Sequence, residues 1–310
     1  MNTGTAMNHS PIDLNSRTRV LELTPADMTV TVESGLTLGA LQTELAKHRQ
    51  WLPIDPPNAD GLSIHDLLAR DLSGPRRFGY GTVREHLIGM KVALADGRVI
   101  KSGGKVVKNV AGYDLAKLFI GARGSLGTIV EATFKLRPLP EVERIVGAQV
   151  EQLDELKVLL LAVLESELTP VILDAHRSAD SHVRANTNEH ADSAVRAPIQ
   201  VILGFAGTRE EVEWQMEQAE KLGFAQPASL DYEAAFWSDS APAHRLSVLP
   251  SRLTDSLAQL NPRSFVARAG NGTIYYRGEP VGAKSILPLE LMRRVKAAYD
   301  PKNLLPEFPS

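Results

Sequence analysis

Two different periods of apolar and polar positions run along the first 140 residues. Residues 28–33 alternate as a strand, Gly35 breaks them, and Thr37 is placed to cap a helix whose Leu38, Leu41 and Leu45 share one face and which ends near His48. Residues 51–54 are then extended, because Pro53 and the Pro56-Pro57 pair exclude a helix. Ser63 and Asp66 have the spacing of a capping box, which predicts a short helix through Ala69 closed by Gly74-Pro75. Residues 87–94 and 98–101 flank Asp96-Gly97 and predict a hairpin. A short helical stretch over 113–119 leads into a run of glycines. Val130, Ala132, Phe134 and Leu136 then alternate with Glu131, Thr133, Lys135 and Arg137 as a strand. Pro138-Leu139-Pro140 ends regular structure and predicts a boundary between two domains, 1–140 and 141–310.

Beyond that boundary the pattern predicts a strand over 142–150, a helix over 153–165, strands over 170–175 and 198–205, and a helix over 208–222, most of a β-α-β-β-α-β order. Residues 177–196 are polar and mixed in charge and read as a loop. Asn271-Gly272 between 264–269 and 273–277 is a second hairpin signal, and Pro288 opens a terminal helix that runs into Asp300-Pro301. The fold class expected is α+β.

Composition removes several chemistries. The 310 residues contain no cysteine, which excludes disulfides, Cys-ligated zinc, iron–sulfur clusters, Cys nucleophiles and cysteinyl flavin links. Lys and Arg total 34 against 37 Asp and Glu, so there is no excess positive field to hold a nucleic acid. The most apolar run, residues 158–164, is far short of the ~20 residues that span a bilayer. The N-terminus lacks the basic start and apolar core of an export signal, and a cytoplasmic location is expected. His176, His190 and His244 are scattered without metal-ligand spacing and are expected on the surface or in loops, so no metal and no catalytic set is assigned.

The chemistry is expected in the glycines. Gly121, Gly124 and Gly127 form a GxxGxxG series after a short helix and before a strand, the reverse of the Rossmann order, which excludes a nicotinamide site built on it. Glycine admits positive φ and lets main chain approach an anionic or planar ligand. On the residues alone, a ligand cradle and a tightly packed corner stand as alternatives.

The stretch KNVAGYDL at 108–115 resembles the flavin-binding core of glycolate oxidase FAD-binding subunits, of the vanillyl-alcohol oxidase/p-cresol methylhydroxylase (PCMH) type. The likeness extends over residues 51–57, 73–77, 79–85 and 300–306. It implies a PCMH-type FAD domain lacking its first βαβ unit, followed by a ferredoxin-like cap domain carrying the C-terminal helix. The cofactor implied is FAD, with Ser73, Gly74, Gly79, Gly81, Arg84, Lys108, Asn109, Gly112, Gly121, Gly124, Gly127 and Ile129 as its binding residues. Arg84 has an alternative as a partner of Glu85, Tyr113 as a packed ring and Asp114 as a helix cap. The partners implied are a sister FAD-containing subunit that oxidises a 2-hydroxy acid and an iron–sulfur subunit, through which any membrane association would run.

Two departures from the family pattern set a competing expectation. Asn2-Thr3-Gly4-Thr5 is at most a remnant of the family's pyrophosphate loop, and His65-Asp66 stands where the family has Gly-Gly. Side chains there occupy space next to the cofactor, and Asp66 brings a negative charge toward an anionic dinucleotide. The resemblance implies a flavin-linked electron-transfer subunit of a 2-hydroxy-acid oxidoreductase. The alternatives are a non-catalytic structural subunit of the same fold, or a chain whose missing unit lies upstream.

Overall fold

The computed structural model describes residues 12–104, 115–178, 197–281 and 289–308. In chain order the first elements are β1 (Val20–Thr24), β2 (Thr29–Glu33), α1 (Leu38–Ala46), β3 (Gln50–Trp51), α2 (Ile64–Ala69), α3 (Arg77–Tyr80), α4 (Val83–His86), β4 (Leu87–Ala93), β5 (Val99–Gly103), α5 (Ala116–Phe119), β6 (Thr128–Lys135) and β7 (Arg137–Pro138). There follow β8 (Val142–Val150), α6 (Leu153–Glu165), β9 (Ile172–Arg177), β10 (Ile199–Gly207), α7 (Arg209–Lys221), β11 (Gln226–Pro227), α8 (Asp231–Ser238), β12 (His244–Ser247), α9 (Leu253–Leu260), β13 (Ser264–Arg268), β14 (Thr273–Arg277) and α10 (Leu289–Tyr299). They divide into two units. The first holds the described residues of Met1–Gly74, Gly81–Leu139 and Ser285–Ser310, the second those of Pro75–Tyr80 and Pro140–Lys284.

The first unit is a five-stranded antiparallel sheet, β1-β2-β6-β4-β5, with helices on one face. Thr37 caps α1 as expected, its Oγ1 accepting the Ala40 N–H at 3.2 Å, and Leu38, Leu41 and Leu45 are fully buried. They pack with Ile64, Leu67 and Leu68 of α2 against Val30, Val32, Ala132 and Phe134 of the sheet. The opposite sheet face is polar: Thr31 and Thr133 share a hydroxyl hydrogen bond of 3.0 Å, and Lys91 pairs with Glu131 at 2.8 Å. The Asp96-Gly97 turn closes β4 on β5 with Gly97 at φ +86°. β1, which the alternation did not mark, pairs with β2 along the sheet edge.

The second unit is a seven-stranded antiparallel sheet in the order β11-β8-β10-β9-β13-β14-β12. Its first four strands run fourth-first-third-second in chain order, the ferredoxin-like arrangement, and the Asn271-Gly272 hairpin β13–β14 extends it beyond β9. Leu156, Leu160 and Val163 of α6, Val212 and Ala219 of α7, and Leu253 and Leu257 of α9 form one core with Val201, Leu203, Phe205, Phe265 and Ile274.

Two features differ from the sequence reading. The C-terminal helix, expected with the cap domain, belongs to the first unit, where Val295 and Tyr299 pack on the core and the Tyr299 ring meets Phe119 edge-on at 5.5 Å. Helices α8 and α9 occupy a stretch read without structure, although Leu253 and Leu257 already had helical spacing. The helical stretch expected at 113–119 is met by α5 over its described residues, and of the loop expected over 177–196 Arg177 instead ends β9 while residues 179–196 fall outside the described residues.

Candidate functional site

The glycine corner at 121–127 is built against the C-terminal end of α2. A helix leaves its last carbonyls without partners of its own. Here Gly121 N–H donates to Leu68 O at 3.0 Å and Arg123 N–H to Ala69 O at 2.8 Å. These bonds hold Gly121, Arg123 and Gly124 at φ +80°, +49° and +80°. Such backbone suits glycine, and Arg123 adopts it at a cost of about 1 kcal/mol. Ser125 then folds onto Ala122 O with both its N–H (2.9 Å) and its Oγ (2.6 Å), and β6 begins.

At the N-terminal end of α2, Ser63 Oγ accepts the Asp66 N–H at 3.0 Å and donates to Asp66 Oδ2, also at 3.0 Å. The Ser63-Asp66 cap is thus formed, and Asp66 is exposed. His65 lies beside the buried Ser34. Its N–H donates to Ser34 O at 2.7 Å, and its Nδ1 sits 3.1 Å from Ile129 O, which makes Nδ1 the protonated nitrogen, since a carbonyl can only accept. Ser34 Oγ donates to the same Ile129 carbonyl at 2.6 Å.

The residues expected at the cofactor separate into groups. Gly121, Gly124, Gly127 and Ile129 come together in the corner. Arg84 reaches it from α4, donating from Nη2 to Ile120 O at 3.4 Å, while Glu85 takes Thr82 N–H at 2.6 Å as a helix cap rather than pairing with Arg84. Gly81 enters the same cap at φ +85°. Ser73 and Gly74 stay in the first unit, where a Cβ on Gly74 would fall 1.8 Å from Asp55 O. Gly79 belongs to the second unit, where its N–H donates to Val171 O at 3.1 Å and a Cβ would meet Val171 Cα at 2.6 Å. Lys108, Asn109 and Gly112, with Tyr113, Asp114 and Asn2-Thr3-Gly4-Thr5, lie outside the described residues.

Whether this corner fits a flavin nucleotide depends on which main chain is free. A Cβ on Gly124 would meet nothing within 4 Å, and one on Gly121 only Asp71 Cβ at 3.5 Å, so main chain at 121–124 can be approached closely. Gly127 is glycine for internal reasons: a Cβ there would lie 2.6 Å from Val92 Cγ1 and 2.9 Å from Ala93 O. The Ile129 carbonyl already accepts two hydrogen bonds. The Gly121, Arg123 and Ser125 amides are already bonded within the corner, so the cradle within 121–125 opens at Gly124, with Arg84 next to it.

The second unit contains a polar cluster that the sequence reading missed. Asp174 on β9 and Arg268 on β13 are cross-strand partners, both nearly inaccessible, and form an ion pair. Arg268 also holds Glu233 of α8 (Nη2 to Oε2, 2.8 Å), Tyr232 donates to Asp174 Oδ2 at 2.6 Å, and Trp237 Nε1 donates to Glu233 Oε2 at 3.1 Å. The His176 ring stacks on Tyr232 at 4.3 Å. His176, expected on the surface or in a loop, is instead largely covered on β9. Burial pushes its pKa down to about 4 against the pull of Glu233. Burial pushes Asp174 up to about 6 even though Arg268 opposes the rise. The Tyr232 hydroxyl is raised by burial and by Asp174, so it serves as a donor. Among the described residues no group of three or more His, Asp or Glu could hold a metal, and no helix is long and apolar enough to cross a membrane.

The chain thus presents a helix-backed antiparallel sheet bearing an open glycine corner and, as a second unit, a sheet of ferredoxin-like order. Residues 3–103 match the family described as FAD binding domain, which indicates FAD as the cofactor. It is 34% identical to glycolate oxidase subunit GlcD of Bacillus subtilis (strain 168) over 157 residues, which covers 50% of this chain and 33% of that protein. It is 26% identical to glycolate oxidase subunit GlcE of Escherichia coli (strain K12) over 225 residues, covering 71% of this chain and 61% of that one. Mitochondrial D-lactate dehydrogenase [cytochrome] of Arabidopsis thaliana is 38% identical over 42% of this chain and 23% of its own. The chain thus spans less than two thirds of each of these relatives. A solved alkyldihydroxyacetonephosphate synthase superposes with a TM-score of 0.68 over 95% of this chain and 66% of its own, at 17% identity, which speaks for the fold alone.

Proposed function

We propose that this chain is the FAD-binding subunit of a glycolate-oxidase-like complex that oxidises a 2-hydroxy acid. The observation that carries the reading is the corner at 121–125, main chain at positive φ and open at Gly124, which follows in the same unit the stretch 3–103 that matches the FAD binding domain family. Bound FAD supplies a two-electron acceptor ring, and the protein supplies position and electrostatics. The residues to hold it are Gly121, Gly124 and the backbone between them, Arg84, and Ser73, Gly74 and Gly81 of the preceding loop. Lys108, Asn109 and Gly112 complete the set by resemblance. Without cysteine this chain cannot ligate iron–sulfur clusters, so that work falls to a partner, as oxidation of the substrate falls to a sister flavoprotein. The complex would sit in the cytoplasm, and any membrane contact would come from its partners.

The saturated Ile129 carbonyl and the His65 side chain favour a second reading, a structural subunit of the same fold that does not hold FAD. One experiment separates the two. Purified full-length protein is inspected for the visible flavin bands, then titrated with FAD and followed by quenching of flavin fluorescence. Saturable binding supports the first reading. A preparation that stays colourless in excess FAD overturns it in favour of the second.

A further inference from the structure

Helix α10 carries a lysine where an amphipathic helix would bury an apolar residue. Lys296 is 6% exposed, and its ammonium makes three bonds: to Asp300 Oδ2 at 2.9 Å, to Leu305 O at 3.2 Å and to Ser125 O at 3.4 Å. An ammonium has three hydrogens, and all three are used. Asp300, 2% exposed, is held as tightly. Its Oδ1 accepts Leu304 N–H and its Oδ2 accepts Leu305 N–H, both at 2.8 Å. Burial pushes the Asp300 pKa up, but the bonds from Lys296 and the two amides outweigh it, and the carboxyl stays below its usual range. The short turn after α10 is thus wound around one carboxylate, and the lysine ties that turn to the glycine corner.

A buried ion pair is poor evidence for stability, since an apolar side chain of similar volume packs without loss of hydration. What the lysine supplies and a leucine would not is register. Three directed bonds fix one distance between the end of α10, the turn at 300–305 and the carbonyl of Ser125. Tyr299 of the same helix meets Phe119, two residues before Gly121, edge-on. The geometry points to Lys296 and Asp300 as a positioning couple that sets the 121–125 main chain for FAD. The C-terminal segment would then be a determinant of cofactor affinity although none of its residues need touch the cofactor. This rests on the function proposed above.

The test uses the full chain with Lys296→Met and Asp300→Asn. Hydrogen exchange of peptides covering 116–129 is compared with peptides from β8 and β10, and FAD affinity is measured by fluorescence titration. In Lys296→Met, exchange at the corner and the FAD Kd should each rise about tenfold, a loss of about 1.4 kcal/mol, while the β8 and β10 peptides keep wild-type exchange. Asp300→Asn keeps an acceptor for the tail amides and should move both in the same direction, by about threefold. At saturating FAD the visible circular dichroism of the bound flavin should also change, which lost stability alone would not produce. Wild-type corner exchange and wild-type Kd in folded Lys296→Met overturn the proposal; if that variant fails to fold, the same null result in Asp300→Asn does so. Should wild type itself not bind FAD, the proposed function and the link to cofactor affinity both fall, and the exchange arm alone decides whether the lysine holds the corner.

Discussion

Asp174 and His176 stand two residues apart on β9, under α8, and burial shifts them in opposite senses. At pH 7 Asp174 is ionised whether the chain is folded or not. On acidification the folded protein takes up its proton near pH 6, whereas the unfolded chain waits until near 3.8, so the folded state binds the extra proton and gains stability as pH falls. That interval corresponds to ~2 kcal/mol by pH 4. His176 does the reverse: the unfolded chain protonates near 6.5 while the folded ring stays neutral down to about 4, and the folded state loses ~3 kcal/mol over the same range. In wild type the two contributions oppose one another. Urea unfolding, followed by the fluorescence of Trp214 and Trp237, measures the balance between about pH 7 and pH 4. Relative to wild type, His176→Gln should become more stable on acidification by ~3 kcal/mol, and Asp174→Asn less stable by ~2 kcal/mol. Acidic groups outside this cluster contribute equally to all three proteins and drop out of the comparison, whereas Glu233, which acts on both residues, stays within it. Parallel pH curves for the three would refute the reasoning.

Gly127→Ala should destabilise by about 2–4 kcal/mol, because the new methyl meets Val92 and the Ala93 carbonyl, while Gly124→Ala should cost only about 1 kcal/mol of backbone strain; thermal melts of the two decide. Ser34→Ala removes a buried 2.6 Å bond to Ile129 O and should cost about 1–2 kcal/mol, read from the urea midpoint. His65→Gly returns that position to the family's residue and should tighten FAD binding in a fluorescence titration, and an unchanged Kd would show that the ring lies clear of the cofactor.

Local rules were legible in the sequence wherever one residue acts on its own neighbours. Thr37, Ser63 and Thr208 cap the helices they precede, each accepting an amide three residues on. Asp96-Gly97 closes its hairpin, and the strand order of a ferredoxin-like sheet followed from the alternation of elements. What stayed hidden depends on partners far along the chain. The FGY segment of the 73–81 loop looks like one stretch with its flanks, yet residues 75–80 pack in the second unit, because Gly79 bonds to Val171 and Arg76 grips Glu143 in a two-pronged pair. His176 looked like a surface histidine because its cover, Tyr232, comes 56 residues later in a helix without a strong apolar stripe.

The glycine series shows why the alternatives at that corner could not be settled from spacing. One GxxGxxG motif answers three different constraints. Gly121 turns the chain so that its amide can reach α2, Gly124 leaves its Cα face open, and Gly127 makes room for Val92. A packed corner and a ligand cradle are therefore both present, within seven residues. The distinction lies in which atoms surround each Cα, and those atoms come from α2, from β4 and from a lysine 171 residues away, none of which a local pattern contains. Positions 65 and 129 oppose a flavin from the other side. There the polar groups that could meet a cofactor are already bonded to one another, so FAD must bind through the 121–125 main chain or displace His65.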